Sequence, residues 1–486
     1  MFQTILSKYG VAFHVALICL LAFVSLLAGS PRGLPYIWLS LILLECAFWL
    51  PSVRSGEDFQ DARKRVAGSL IWDPLFYIGI IVGCFLLIQA FNGGCSLEYL
   101  PDADIWKMGD PPQPWLPFAV RPASAFYWFS VFLALFSIVL VVRNVLGASA
   151  KRAALRLSAC FSGICAVAGS IYALRVPEAD MSAFFNSQVV HAAGLNFAFW
   201  ALIGMGMFAD DAARKKQNGY WSYVVGGFCN FFGMLIFAEP MVMAAGTILF
   251  LIVLIVSLVA LRWTIAMGQV LKHIVVGVIL IGAIAGSLFY VFRTNPVTGK
   301  IQTLKSFDTY VASYAATRPQ RAKAAISVFM EHAWCGVGVE GYGEFVGFFV
   351  KGDKEWKAFK EEKSLALNDY LQLLAEGGVL GVTLALAMLV VLLMPLFVHQ
   401  RERMILDQEA KRAVAGHTHG PSKERADPVS PVVTAGVCGV CLLGVAGGFG
   451  SPFRFPAVLI SLAFVLAELP AFLPSAKRGK SAERSR

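Results

Sequence analysis

Long uninterrupted apolar runs, at 11–29, 125–142, 241–261 and 378–398 among others, constrain this chain more than any other feature. About twenty apolar residues in helical form cross the roughly 30 Å hydrocarbon layer of a bilayer, and these runs are of that order. A closed barrel would alternate polar and apolar residues, whereas Ile248-Leu-Phe-Leu-Ile-Val-Leu-Ile-Val-Ser-Leu-Val-Ala is apolar on nearly every side. With 57% hydrophobic and 15% charged side chains over 486 residues, the chain carries more apolar surface than a soluble domain of that length can bury.

Taking every such run gives an all-α integral membrane protein with about twelve transmembrane helices, near 11–29, 34–51, 71–92, 125–142, 157–174, 190–208, 220–238, 241–261, 273–292, 378–398, 432–449 and 455–473. The formal net charge of +10 does not point to nucleic acid, because the basic residues sit at membrane edges and alternate by connection. Arg54, Arg63, Lys64 and Arg65 share one connection, Arg143, Lys151, Arg152 and Arg156 another, and Arg214, Lys215 and Lys216 a third. The intervening connections are poor in them. Arg262 and Lys272, the run from Arg401 to Arg425 and the tail from Lys477 to Arg486 continue the same side. The positive-inside rule makes that side the cytoplasm, with both termini on it. The chain then divides into a transmembrane region of about nine helices at 1–292, one large extracytoplasmic loop at 293–376, about three further helices at 377–473 interrupted by a flexible cytoplasmic linker at 399–431, and a basic cytoplasmic tail at 474–486.

Most of the ten cysteines lie inside these runs without metal-ligand spacing, and Cys438-x-x-Cys441 falls in an apolar helix, so no metal site is expected. Glu45, Asp73, Glu239 and Glu468 each fall near the end of a run, where solvation at the membrane interface is expected. Clustered prolines between Pro101 and Pro117, with Trp106 and Trp115, favour an extended segment on the membrane surface.

The large loop holds two amphipathic helices with turn chemistry between them. Pro319 suits the first turn of a helix, and Ala322, Ala325, Ile326, Phe329 and Met330 then recur at helical spacing, which predicts a helix over 319–333. Gly336-Val-Gly338-Val-Glu340-Gly-Tyr342-Gly follows, a stretch that permits φ > 0 and close backbone approach to a ligand. A second helix is predicted over 364–376, through Leu367, Tyr370, Leu371, Leu374 and Ala375, ending at Gly377-Gly378. Arg318, Arg321 and Lys323 beside the amides of the turn make a cationic concave site of the kind an anionic phosphate requires; contact with lipid headgroups alone would also suit them. His332 is the loop's one histidine and titrates where proton transfer near neutral pH needs it, with Glu340, Glu344 and Asp369 as alternative proton acceptors.

Arg318 followed after fourteen residues by Ala333-Trp-Cys-Gly-Val-Gly338, and then Asn368-Asp-Tyr-Leu-Gln-Leu-Leu-Ala-Glu-Gly-Gly-Val-Leu-Gly381, resembles the O-antigen ligase and polymerase family. Members of that family are multispanning membrane glycosyltransferases whose signature region is a long outer loop between two late spans. In it an arginine begins a helix, a Pro-x-x-Gly-x-Gly turn follows, and a His-Asn pair with a Gly-x-x-Gly completes the site. Arg318 matches the arginine, Gly336 and Gly338 the turn, Asn368 the asparagine, and Gly378 and Gly381 the last pair. The resemblance implies a multi-pass protein of the bacterial inner membrane, with the 293–376 loop periplasmic. It would move a glycan from a polyprenyl-pyrophosphate donor to a hydroxyl of a lipid or glycan acceptor. Membrane lipid and the lipid-linked glycan are the implied partners, and no metal or nucleotide cofactor is implied because the leaving group is already activated. The candidate residues are Arg318 and His332 as catalytic, and Arg321, Lys323, Gly336, Gly338, Glu340, Tyr342, Asn368 and Asp369 as substrate-binding.

The sequence departs from the family at three places. Leu367 stands where the family has its histidine, a residue that in its ligases helps activate the acceptor hydroxyl, and leucine accepts no proton. Ala333 replaces the turn proline, and Glu239-Pro-Met-Val-Met-Ala-Ala-Gly246 has no arginine where the family often carries one at the outer end of a middle span. A second reading is therefore a non-catalytic member that binds lipid-linked glycan or a partner. A third, of another class, is a multispanning secondary transporter, which would show paired repeats and charge at mid-membrane.

Overall fold

The computed structural model describes residues 18, 34–49, 58–94, 97–100, 105–108, 111–175, 190–213, 225–264, 307–349, 365–415 and 430–473. In chain order the helices are α1 (Leu34–Trp49), α2 (Phe59–Ile71), α3 (Pro74–Phe91), α4 (Pro122–Asn144), α5 (Ala148–Arg175), α6 (Val190–Ala213), α7 (Asn230–Phe237), α8 (Pro240–Thr264), α9 (Phe307–Glu331), α10 (Tyr342–Phe349), α11 (Asp369–Ala415), α12 (Pro431–Phe449) and α13 (Pro456–Glu468). Among the described residues seven helices are long and apolar enough to cross a membrane: Pro74–Phe91, Pro122–Asn144, Ala150–Ile171, Ala192–Asp211, Pro240–Ser257, Asp369–Val398 and Pro431–Phe449. Shorter apolar helices occupy Pro35–Ala47, Gly226–Phe237 and Pro456–Phe472. The protein is thus a helical chain of multi-pass membrane type. The expected spans at 11–29 and 273–292 lie outside the described residues, apart from Ile18. The all-α expectation holds for the architecture, and the Pro-rich connection adds a short ribbon to it. Strands β1 (Leu97–Leu100) and β2 (Ile105–Met108) pair antiparallel with Leu97 opposite Met108, so the extended backbone there finds its hydrogen bonds across a hairpin.

α6 is the centre of the bundle. Every residue from Ala192 to Asp211 is buried, as expected of a helix that is apolar all round, and its small residues Ala192, Ala193, Ala198 and Ala201 let neighbouring backbones come close. α8 and α12 pack along it, as do α5, the π-helical turn Val225–Cys229 and α7. α4 gathers α1, α3 and α13.

At one end of this bundle the polar side chains form ion pairs. Arg143 donates from Nε and Nη2 to the two carboxylate oxygens of Asp73 at 3.0 and 3.1 Å, Asn144 adds a bond at 3.2 Å, and Asp73 itself caps α3 by accepting from the Leu75 amide. Asp73 is therefore buried and paired, not solvated at an interface. Glu468 departs further from that expectation: it is fully buried, and its carboxyl oxygens have no hydrogen-bond partner among the described residues.

The loop segment and the helix that follows it differ from their sequence readings in four ways. α9 begins at Phe307, so Pro319 lies inside the helix and not in its first turn. The alanine-rich stretch upstream sustains the helix, and the proline removes a single backbone bond. The second helix begins at Asp369, not 364, because Leu367 has φ 52 and cannot belong to a right-handed helix. The span expected at 378–398 does not end before a linker at 399: α11 continues to Ala415. The short helix α10 was not anticipated. Its Tyr342, Phe345 and Val346 share one buried face with Ala324, Ala325 and Val328 of α9.

α11 changes direction at Gly378, which has φ 61 and ψ −165. Such a break strands carbonyls on one side and amides on the other. The glycine turn after α9 supplies partners for both. Amides of Val337 and Gly338 donate to the carbonyls of Ala375 and Glu376 at 3.1 and 3.0 Å, while amides of Val379 and Leu380 donate to the carbonyls of Ala333 and Trp334 at 2.8 and 3.0 Å. Gly336 and Gly338 do have positive φ, 66 and 80. A Cβ on Gly336 would lie 2.3 Å from the Glu376 carbonyl, and one on Gly338 2.4 Å from the backbone of Phe118 and Ala119, so the close approach expected toward a ligand is made to the chain's own backbone.

The break generates a paired expectation. Gly378→Ala, whose Cβ would lie 2.5 Å from the Trp334 carbonyl oxygen at a φ that L-residues avoid, destabilises by more than about 1 kcal/mol. Gly377→Ala, with nothing nearer than 3.7 Å, leaves thermal unfolding in detergent unchanged. Equal unfolding temperatures for the two variants would refute the docked break.

Candidate functional site

The turn at 365–368, where the family resemblance locates its histidine and asparagine, is held from several directions. Arg321 is almost fully buried and donates from Nη1 to the Leu365 carbonyl at 3.0 Å; the Tyr342 hydroxyl donates to the Arg321 carbonyl at 3.1 Å. Gln372 Oε1 accepts from the Ala366 amide at 3.4 Å. Asn368 Oδ1 accepts from the amides of Tyr370 and Leu371 at 3.0 and 3.1 Å, which caps α11, and its Nδ2 donates to the Gly448 carbonyl at 3.1 Å. The next residue continues the same docking. Asp369 accepts from the Phe453 amide at 2.8 Å, and the Tyr370 hydroxyl donates to the Gly444 carbonyl at 2.6 Å. The asparagine of the motif thus starts one helix and ties it to the end of another.

Beside this turn lies a seam of carboxylates and guanidinium groups. Arg454, in the 3-10 turn Pro452–Arg454 between α12 and α13, pairs with Glu376 and approaches Glu340 Oε1 at 3.9 Å. Gln372 Nε2 donates to Glu376 at 3.0 Å. Glu340 is a non-glycine residue at φ 61, and its carboxylate is oriented by two donors from α4, Ser124 Oγ at 2.6 Å and Trp128 Nε1 at 3.1 Å. Arg121, which precedes α4, pairs with Glu344 of α10. Residues 121, 124 and 128 fall on one face of the start of α4, so a single helix end meets both acids.

The sequence candidates therefore separate. Glu340, Asn368 and Asp369 come together at this end of the bundle, with Gly336 and Gly338 forming the docked turn beside them. Arg321 and Tyr342 are buried behind it, and Lys323 is exposed on α9. Arg318 falls on α9 one turn before Arg321; its side chain lies outside the described residues. His332 is edge-on to Phe118 and Phe345, with ring centroids at 5.7 and 5.1 Å, and is half-buried between them. Sequence reasoning missed Arg121 and Arg454. Their signal was available: each is a basic residue in a connection on the side that is otherwise poor in them.

Burial pushes the pKa of His332 below the ordinary histidine range, and the neighbouring Glu331 opposes this only in part. The folded chain thus favours the neutral ring, so the stability this gives is complete above the unfolded pKa of about 6.5 and is lost as pH falls through the folded value. His332→Phe, which keeps the aromatic packing and removes the titration, should flatten the decline of the unfolding temperature on the acid side. An unchanged acid slope would contradict this.

No curated protein matches the chain. The family model for O-Antigen ligase matches residues 231–386, from α7 through α8, α9 and α10 into the part of α11 beyond Gly378. That segment contains the glycine turn, the 365–368 turn and the break at Gly378, and over it the chain is O-antigen ligase-like.

Proposed function

We propose that the chain is an O-antigen ligase-like glycosyltransferase that moves a glycan from a polyprenyl-pyrophosphate donor to an acceptor hydroxyl at the outer face of the bacterial inner membrane. The observation that carries this reading is the family match at 231–386, which includes the glycine turn, the 365–368 turn and the break at Gly378. The acceptor oxygen forms a bond to the anomeric carbon while the bond from that carbon to the pyrophosphate oxygen breaks, and the hydroxyl proton passes to a carboxylate. Glu340, whose side chain is 35% exposed and already oriented, suits that last role better than the buried Asp369. His332, wedged between two phenylalanines, serves packing. Arg318 offsets charge developing on the leaving pyrophosphate, while Arg321 positions the 365–368 turn.

Arg318→Ala should lower transfer about a hundredfold, near 3 kcal/mol, with expression and membrane insertion intact, because one charge-assisted contact to the leaving group is lost. Lysine should restore only part, since a point charge does not reproduce a two-pronged phosphate contact. Full transfer by Arg318→Ala in membranes supplied with lipid-linked glycan would sink the assignment. Leu367 favours a second reading, a non-catalytic binder of the same ligand, and Leu367→His separates the two. The backbone there has φ 52, a region in which histidine is several-fold enriched, so the new side chain fits the turn. A rise in transfer supports the catalytic reading; transfer by neither form supports the binder.

A further inference from the structure

α9 has two apolar faces. One carries Ala324, Ala325 and Val328, packs on α10 and is explained by the fold. The opposite face carries Ile326, Met330 and, where the helix passes into the turn, Trp334, at spacings of four residues. These three side chains are 47%, 70% and 80% exposed. A helix lying on a protein in water presents polar residues outward, so large apolar groups aligned on the free face call for another medium.

The position of this face identifies the medium. The Trp334 carbonyl accepts from the Leu380 amide and the Ala333 carbonyl from the Val379 amide, so the end of α9 is bonded to the first turn of the membrane-crossing part of α11. Val379 and Leu380 are themselves exposed and apolar, at the start of a segment that is largely unburied by the bundle over Asp369–Val398. The Ile326–Met330–Trp334 stripe is therefore continuous with a lipid-facing surface at the point where that surface begins. Tryptophan is the residue enriched at such a boundary. Lys323, exposed one turn before Ile326 on the same face, has the long stem and charged head that reach lipid phosphate.

We propose that this face of α9 lies in the headgroup layer of the leaflet met by the Val379 end of α11, with Trp334 at the boundary, Ile326 and Met330 among the upper acyl segments and Lys323 on lipid phosphate. α9 then behaves as an interfacial helix of the kind that lies in a membrane surface without crossing it. One consequence rests on the proposed function: the helix that carries Arg318 is held at the depth where a lipid-linked pyrophosphate sits.

The test uses the full chain in vesicles of phosphatidylethanolamine and phosphatidylglycerol, with acyl chains brominated either near the headgroup or near the chain end. Trp334 emission is taken as the difference between the unmodified protein and Trp334→Phe. It should lose most of its intensity with bromine near the headgroup, less with bromine at the chain end, and little with acrylamide in the aqueous phase. Quenching by acrylamide and not by lipid would overturn the proposal in favour of water. Quenching by neither would overturn it in favour of a protein cover, whether another segment of this chain or a second copy. Met330→benzoylphenylalanine gives an independent reading, in which lipid adducts on irradiation support the placement and protein adducts refute it. Neither readout depends on glycan transfer, so the lipid contact and the proposed activity succeed or fail separately.

Discussion

In hydrocarbon an unpaired backbone amide or carbonyl costs several kcal/mol, so a helix that breaks near the membrane needs partners for every group the break exposes. α11 breaks at Gly378, and the turn following α9 provides two amides for the carbonyls before the break and two carbonyls for the amides after it. This exchange is the constraint from which the loop architecture follows. It fixes Gly336 and Gly338 against neighbouring backbone, sets where α9 must end, and brings α10 and the 365–368 turn onto the same end of the bundle.

The two ends of the bundle are built from different chemistry. At the end holding Arg143, pairs such as Arg143–Asp73 and Arg156–Asp211 fasten helix termini to one another. At the motif end, besides the ion pairs of Arg121 and Arg454, connections distant in sequence are joined through side chain to backbone bonds: Asn92 with Gln113, Asn368 with Gly448, Tyr370 with Gly444 and Asp369 with Phe453. Arg454 adds charge to this framework by pairing with the buried Glu376. Removing one member of a buried pair leaves an uncompensated charge and typically costs about 3–5 kcal/mol, so the turn between α12 and α13 is bound firmly to the motif helix.

How much of this was legible in the sequence depends on the range of the interaction. Spans such as α4, α8 and α12 were readable because hydropathy acts over one segment at a time. The positive φ of Gly336, Gly338 and Gly378 was readable in kind, since glycine marks such positions, but not in purpose, because their neighbours Ala119, Glu376 and Trp334 are brought in by the fold. Pro319 misplaced the start of α9, since a signal for the first turn of a helix is indistinguishable from a proline that an otherwise favourable helix tolerates. Arg121 and Arg454 were legible as basic residues in connections otherwise poor in them, but their pairing was not, because their partners, Glu344 and Glu376, are remote in sequence.

Leu367 bears on what the chain has kept. A leucine in the left-handed region costs roughly 1–2 kcal/mol, and a connection whose only task was to join two helices would relax or carry glycine or asparagine there. Such a conformation persists when its surroundings over-determine it. Around Leu367 they do: Arg321 holds the residue two before it, Gln372 the residue before it, and Asn368 starts α11 immediately after it. Glu340, the other non-glycine residue with positive φ among the described residues, is likewise held by Ser124 and Trp128 on α4. Both strained residues sit in the segment matched by the O-antigen ligase family, at the same end of the bundle. Leucine therefore offers no proton acceptor at position 367, while the backbone there is held in a strained conformation at a cost.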